Sequence, residues 1–343
     1  MFITVNAMPF WAHRMQQGSL QKFLKYAQLL RYTLALCHLD DFGVFMARIH
    51  IMALRHSAFY APLLLTVHGD YLTRRGLQPE YRLQTLEDPI DAALRSGSAH
   101  LSQSAPAVSF ASLERGEEQD LLHFAAINDR DGFYLTARVP MPDFRWSDLH
   151  GREVLVDHLF QPMATLRYVM HLNEADFDAI EVIDAGGVEA MDAAFRAGQG
   201  ELVHQQGPAP QQLEQDGVGH CVASIGEALG PIAFSSLYAS RDWLRSDMAL
   251  EFLDAYEEAL SDLAEMTAQR VARIIGPALP GIDETVLVHT LDDYKKLGTW
   301  STERRIKSES YETLLKVFRH SGLVTRDHPM SALIVDLHTA RPD

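Results

Sequence analysis

Short apolar segments alternate with amphipathic segments along the chain from residue 48 onward. The apolar segments, which predict β-strands, are residues 49–54, 77–83, 100–103 and 121–127. The segments with helical spacing are residues 62–75, 89–97 and 106–113, and a glycine that favours a helix end, Gly76, Gly97 or Gly116, lies at or shortly after the end of each. This order of strands and helices predicts a parallel sheet covered by helices.

A similar pattern restarts after Pro140-Met-Pro142. Strands are predicted at 154–157, 179–183 and 234–240, and helices at 163–172, 188–197, 247–275, 283–296 and 308–320, with a loop over 205–210. We therefore expect an α/β protein of two lobes, each a mostly parallel sheet flanked by helices. The first lobe is predicted to comprise 46–140 and 235–343, and the second 145–230.

The first 45 residues differ from the rest of the chain. Leu20, Phe23, Leu24, Ala27, Leu30 and Leu34 recur at helical spacing with basic residues between them, which predicts one amphipathic helix. This helix either packs on the protein itself or lies on a membrane surface. Met46 offers a second start, so residues 1–45 are interpreted as an N-terminal extension. No signal-peptide pattern is visible there, which indicates the cytoplasm for the sequence as it stands.

Composition excludes several classes of protein. The 343 residues carry a formal charge of -16 and no long basic run, which argues against a nucleic-acid-binding surface. The chain has 2 cysteines, Cys37 and Cys221, without a paired motif, so a cysteine-built metal site is not expected. No apolar run approaches the ~20 residues that a membrane span needs.

Several blocks, in this order, resemble the periplasmic solute-binding proteins of ABC transporters for aliphatic sulfonates, nitrate and thiamine-pyrimidine precursors. The blocks are Arg55–Tyr60, Gly76-Leu77, Asp91–His100, Leu149–Leu155, Asp192–Gly198, Trp243-Leu244, and the later Tyr294, Trp300, Tyr311 and Gly322. The likeness spans residues 48–340. It implies a periplasmic-binding-protein fold of the second type with a ligand cleft between two lobes, a periplasmic location and an ABC permease as partner.

If the cleft lies at the carboxyl ends of the strands, the residues that follow each strand are candidates for ligand contact. They are His56, Phe59, Tyr60, Gln103, Ser104, Asn128, Asp157, His158, His204, Gln205, Gln206 and Ser235, with Asp129, Gln161 and Ser236 beside them. Each also has an ordinary reading as a cap or turn residue. The set predicts a small organic ligand, and a neutral or cationic heterocycle stacked on Phe59 and Tyr60 is favoured over a sulfonate or nitrate, because no basic residue was assigned to a strand end.

Two alternatives remain open from the sequence. Three histidines, His56, His158 and His204, could bind a metal, although no ligand-spaced pair supports them. A cytoplasmic enzyme or sensor on the same fold is the second alternative. However, the cysteine motifs of the related pyrimidine-precursor synthase and aromatic sulfinate desulfinases are absent. Cys221 is interpreted as a structural thiol. We therefore expect a binding protein with no catalytic residue, metal or cofactor, which closes by hinge bending.

Overall fold

The structure, a computed structural model, describes residues 46–337, so the predicted N-terminal helix and extension lie outside the described residues. The strands of this region are β1 Ala47–Ala53, β2 Leu77–Leu83, β3 Leu101–Ser104, β4 Leu121–Asn128, β5 Phe133–Ala137, β6 Glu153–Val156, β7 Glu181–Ile183, β8 Leu202–Gln206, β9 His220–Ser224 and β10 Ser235–Ser240. The α-helices are α1 Ala61–His68, α2 Ile90–Ser96, α3 Phe110–Glu114, α4 Phe160–Leu172, α5 Val188–Arg196, α6 Ala209–Gln215, α7 Ile225–Leu229, α8 Asp247–Glu265, α9 Ala268–Ile275, α10 Glu284–Leu297 and α11 Ser308–His320.

The strands form two five-stranded sheets with the same internal plan. The first sheet has the order β2-β1-β3-β10-β4 and the second has β7-β6-β8-β5-β9. In each sheet the strand in fourth position, β10 or β5, runs antiparallel to its neighbours, and the other pairings are parallel. The predicted α/β fold with two mostly parallel sheets flanked by helices is confirmed.

The chain passes from the first sheet to the second within residues 129–132, earlier than the predicted boundary at 140–145. Strand β5, which the sequence pattern left in the first lobe, pairs with β8 and β9 of the second sheet. All five residues of β5 are buried, so the strand lacks the polar alternation that marks a sheet edge. The return to the first sheet lies between β9 and β10 and includes Gly230-Pro231.

Three predicted elements differ in extent by more than a few residues or in type. The helix expected over 62–75 ends at His68, because Gly69 and the left-handed Asp70 follow it. The helix expected over 247–275 is interrupted at Met266, and Thr267 caps the start of α9 by accepting the Arg270 N–H. Residues 205–206, expected in a loop, complete β8.

The C-terminal helices contact both lobes. Helices α8 and α9 pack on α1 beside the first sheet, whereas α10 contacts α6, and α11 contacts α4, on the side of the second sheet. The rings of Phe160 and Phe318 lie 5.0 Å apart, and those of His171 and His320 stack at 4.3 Å. These contacts hold the second lobe against the first. None of the described helices is long and apolar enough to cross a bilayer.

Candidate functional site

A cavity of about 240 Å³ lies where strand ends of the two sheets face each other. Its lining from the first lobe includes Leu54, Arg55, Tyr60, Gln103, Phe234 and Ser235. Its lining from the second lobe includes Phe133, Leu159, Phe160, Gln161, Pro162 and Gln206. A mostly apolar cavity with a few polar groups is the usual form of a small-molecule site. Its volume lies below the roughly 300 Å³ at which sites for drug-sized ligands begin, which favours a single-ring ligand.

An ion pair joins the two lobes at this cavity. Arg55 follows β1 and Asp157 follows β6, and the Arg55 guanidinium lies 2.8 Å from the Asp157 carboxylate. Both carboxylate oxygens accept from Arg55 Nη2, at 3.0 and 2.8 Å. The side chains are 17% and 6% exposed, so water screens the pair weakly. The pair neutralises the positive charge that Arg55 brings to the cavity.

The side chain of Gln103 holds the backbone turn that contains Arg55. The side-chain oxygen of Gln103, at the end of the neighbouring strand β3, accepts the N–H groups of Leu54 and Arg55 at 3.0 and 3.1 Å. Gln103 is 2% exposed, so these hydrogen bonds form away from solvent. The residue therefore shapes the turn after β1, in addition to lining the cavity.

Aromatic rings form the walls of the cavity. Phe133 begins β5 and Phe234 precedes β10, so both antiparallel strands start at the cavity. Arg55 lies 5.9 Å from the centre of the Phe133 ring. Burial raises the pKa of Tyr60 to about 12, and the positive charge of Arg55 opposes the increase. Tyr60 is therefore a neutral phenol at physiological pH.

Two titratable groups are buried close to the ion pair. Burial lowers the pKa of His204 to about 4, so its imidazole is neutral, and its ring packs 4.8 Å from that of Phe133. Burial raises the pKa of Asp131 to about 7. Asp131 lies in the segment that crosses between the sheets, and its Oδ1 accepts the Phe133 N–H at 2.8 Å.

Several residues predicted for the cleft do line the cavity, namely Tyr60, Gln103, Gln206 and Ser235, as does the neighbouring Gln161. Asp157 does not line the cavity itself but pairs with Arg55, which does. His204 lies behind Phe133. Gln205 and Ser104 are buried in their strands. Whether these side chains contact a ligand stays a prediction.

The structure places four other candidates away from the cavity. His56 contacts the Tyr81 hydroxyl and the Ala278 carbonyl instead. Phe59 is fully buried among other aromatic rings, so a ligand cannot stack on it as predicted. Asn128 donates to the Phe59 carbonyl, and the His158 ring lies against the Val156 carbonyl.

Sequence reasoning missed Arg55 and Phe133. Arg55 directly follows the strand predicted at 49–54, and this position was the available signal for a basic residue at a strand end. Phe133 was missed because β5 was not predicted. Cys221, in contrast, lies on β9, half-buried and 3.8 Å from the Thr136 hydroxyl, and burial raises the pKa of its thiol. Within residues 46–337, no group of three or more His, Cys, Asp or Glu side chains is arranged to hold a metal ion.

Comparison with known proteins identifies the architecture. The periplasmic aliphatic sulphonate-binding protein SsuA of Escherichia coli superposes with a TM-score of 0.66 at 15% identity, over 84% of this chain and 97% of SsuA. The fold is that of the periplasmic solute-binding proteins. The nitrate-binding protein NrtA of Synechocystis PCC 6803 shares it, with a TM-score of 0.60 at 15% identity, over 84% of this chain and 85% of NrtA.

A sequence relative covers almost the whole chain. Binding protein YtlA of Bacillus subtilis (strain 168) is 24% identical over 312 residues, which are 89% of this chain and 92% of YtlA. The same fold also occurs in the desulfurization enzyme DszB, solved with biphenyl-2-sulfinic acid, with a TM-score of 0.64 at 12% identity over 86% of this chain and 99% of DszB. No family model matches the chain. The resemblance to periplasmic solute-binding proteins is confirmed, and the neighbours on this fold include an enzyme.

Proposed function

We propose that this protein is the solute-binding component of an ABC-type uptake system. It binds a small organic molecule in the cavity between the lobes and delivers it to a permease. The observation that carries the proposal is the cavity itself, which is lined from both sheets and has the Arg55–Asp157 ion pair between the lobes beside it. A ligand held this way contacts both lobes and favours the state in which they are closed.

The proposed motion is a hinge at the two segments that cross between the sheets. On this proposal one lobe comprises residues 46–128 and 235–337, and the other comprises 133–224. Four residues separate β4 from β5, and the second crossing runs through α7 and the Gly230-Pro231 turn. Short crossings of this kind absorb a rotation in a few backbone dihedrals while the sheets move as rigid bodies.

A binding role agrees better with the side chains of the cavity than catalysis does. The cavity lining contains no cysteine among the described residues. Cys221 lies on β9, and its raised thiol pKa leaves little thiolate to act as a nucleophile. His220 is exposed while Cys221 is half-buried, as expected for neighbours on a strand that point to opposite faces. Consequently the two do not form a nucleophile and base.

The proposal is tested by native mass spectrometry of the purified protein, which should detect a co-purified small molecule. Ala105→Phe fills the cavity, because Ala105 lines it, and should abolish the bound mass. Ala92→Phe places the same side chain on the exposed face of α2 and serves as the control. Small-angle scattering should show a smaller radius of gyration with ligand than after its removal. A protein with no bound mass and one radius of gyration under all conditions would contradict the proposal.

A further inference from the structure

One carboxyl group is buried in the first crossing without a cation beside it. Asp131 lies in the segment between β4 and β5 and is 0% exposed. Its Oδ1 accepts the Phe133 N–H at 2.8 Å, whereas its Oδ2 is buried and has no hydrogen-bond partner among residues 46–337. An ionised carboxylate is costly to bury without a cation or a full set of donors. In this arrangement the carboxyl group is therefore more stable when it carries a proton.

The neighbouring hydroxyl agrees with a protonated carboxyl group. Thr165 of α4 faces Asp131, but its hydroxyl donates to the Pro162 carbonyl oxygen at 2.9 Å. A hydroxyl has one hydrogen, so toward Asp131 the Thr165 oxygen acts as an acceptor. A proton on Asp131 would supply the donor that this contact lacks.

The buried charges between the lobes balance only when Asp131 is neutral. Asp157 holds Arg55 through two hydrogen bonds, so the charge of Arg55 is already neutralised. Burial, with a smaller contribution from the negative charge of Asp157, raises the pKa of Asp131 to about 7. His204, which lies beside the same ion pair, is neutral because burial lowers the pKa of its imidazole to about 4. Ionisation of Asp131 would therefore leave one unbalanced negative charge in the interior.

In the described part of the chain, the other ionisable groups around the crossing supply no free cation to Asp131. Burial raises the pKa of each tyrosine hydroxyl that faces it, so all three are neutral at pH 7. These tyrosines are Tyr60 of the first lobe, Tyr134 on β5 and Tyr294 on α10. Lys307 lies 2.9 Å from the Asp129 carboxylate, and Arg130 donates to the Gly226 carbonyl. The next residue of α7, Glu227, is exposed and acidic.

Both lobes cover Asp131. Tyr60 of the first lobe faces the carboxyl group, and so do Thr165 and Asp157 of the second lobe. The Tyr294 hydroxyl, from α10 beside the first lobe, donates to the carbonyl of the next residue, Gly132, at 3.0 Å. Rotation of one lobe against the other removes part of this cover and admits water. A hydrated carboxyl group then ionises at its ordinary pH.

We propose that closure of the two lobes takes up one proton, which Asp131 holds in the crossing, and that rising pH therefore favours the open state. This inference rests on the proposed binding function and adds a regulation to it. Closure is fully favoured below the ordinary aspartate pKa of 3.8, and it weakens by up to about tenfold for each pH unit towards 7, the pKa of buried Asp131. At higher pH Asp131 is ionised in both states, and the dependence ends.

The proton on Asp131 is measured directly by infrared difference spectroscopy. A pH titration of the full chain follows the carbonyl stretch of protonated carboxyl groups. The wild-type protein should show a band that is lost near pH 7, and Asp131→Asn should lack this band. Asp143→Asn changes an exposed aspartate, so it is the matched control and should keep the band. Loss of every carboxyl band near pH 4 in the wild-type protein overturns the inference.

Small-angle scattering of the same three proteins measures opening of the lobes. The radius of gyration of the wild-type protein and of Asp143→Asn should increase between about pH 5 and about pH 9. Asp131→Asn should keep the low-pH radius at both, because its amide needs no proton. A wild-type radius that does not depend on pH overturns the inference, and so does an equal increase in Asp131→Asn.

Asp157→Asn is a second variant in case Asp131→Asn does not fold. It removes the negative charge that faces Asp131 and leaves Arg55 without its carboxylate, so the Asp131 band should be lost at a lower pH than in the wild-type protein. An unchanged midpoint overturns the charge argument. The proposed function fails separately. A radius of gyration that decreases with the co-purified molecule bound but does not depend on pH would overturn this inference and leave the binding function intact, whereas an absent co-purified molecule and an unchanging radius count against the function itself.

Discussion

Gly226 and Asp131 belong to the two segments that cross between the sheets, and they meet there without room for a side chain. A Cβ atom on Gly226 would lie 2.1 Å from the Asp131 carbonyl oxygen. The guanidinium of Arg130 adds a hydrogen bond to the Gly226 carbonyl at 3.2 Å. On the first crossing, a Cβ on Gly132 would lie 2.3 Å from the ring of Phe59. Backbone contact at this point therefore determines how the two lobes meet.

Gly226→Ala should destabilise the protein by about 1–3 kcal/mol, the usual cost of an added methyl group in a closely packed site. The clash is with backbone, which cannot rotate away as a flexible side chain does. Melting temperature measures the effect. Gly276→Ala is the control, because Gly276 has helical dihedrals and the added Cβ meets only ordinary contact at 3.6 Å. Equal melting temperatures for the two variants would show that the crossings separate more readily than this packing indicates.

Asp131→Asn should remove a pH dependence of stability. The folded protein holds a proton on Asp131 up to about pH 7, whereas the unfolded chain releases it near 3.8. Stability is therefore full below the unfolded value and falls as pH rises towards 7, by up to about 1.4 kcal/mol per pH unit. Asparagine cannot ionise and keeps the oxygen that accepts the Phe133 N–H. The gap in melting temperature between variant and wild type should widen from pH 4 to 7 and then level off; a constant gap contradicts the assignment.

Gln103→Ala should lower the stability of the ligand-free protein. If Gln103 and Tyr60 served mainly as the ligand contacts predicted from the sequence, their truncation would weaken binding and barely change melting, but both side chains are buried, at 2% and 3% exposure. Loss of the Gln103 side-chain oxygen leaves the Arg55 N–H without its acceptor, whereas the Leu54 N–H keeps the backbone carbonyl of residue 103 at 3.2 Å. The unpaired N–H costs about 1–3 kcal/mol. Gln78→Ala, on the exposed side of β2, is the control, and apo melting curves decide between the two expectations.

A protein that begins at Met46 should fold cooperatively and keep its ligand. Residues 47–337 belong to one compact unit, and both five-stranded sheets lie within it. Thermal melting of the truncated protein, followed by calorimetric titration with the co-purified molecule, measures both properties. Loss of a single sharp transition would show that the first 45 residues contribute to the folded core.

Most of the fold was predictable because most strands and helices carry strong local signals, although β8 and β9, like β5, were not predicted. Strand β2 and helix α11 were predicted at their observed bounds, since glycine and polar residues delimit them on both sides. Strand β5 carried no such signal. It follows β4 after four residues, and two adjacent apolar strands predict a hairpin in one sheet, whereas the chain here changes sheets between them.

The site was less predictable than the fold. The rule that ligands lie at strand ends located Tyr60, Gln103 and Gln206. The same rule also selected His56 and Phe59, because sequence position does not tell which way a side chain turns after its strand. The pairing of Arg55 with Asp157 joins residues about a hundred positions apart, and one sequence alone gives no sign of that contact.

The position of β10 has a consequence for the order in which the protein is made. Strands of the second sheet are contiguous along the chain, from Phe133 to Ser224, so that sheet can pair fully as soon as it leaves the ribosome. Strands β3 and β4 of the first sheet are synthesised earlier, yet the gap between them stays open until β10 emerges. Nascent chains therefore carry two unpaired strand edges through the synthesis of the whole second lobe. The first lobe to be translated is the last to be completed, and it is the part of the nascent chain most in need of a chaperone.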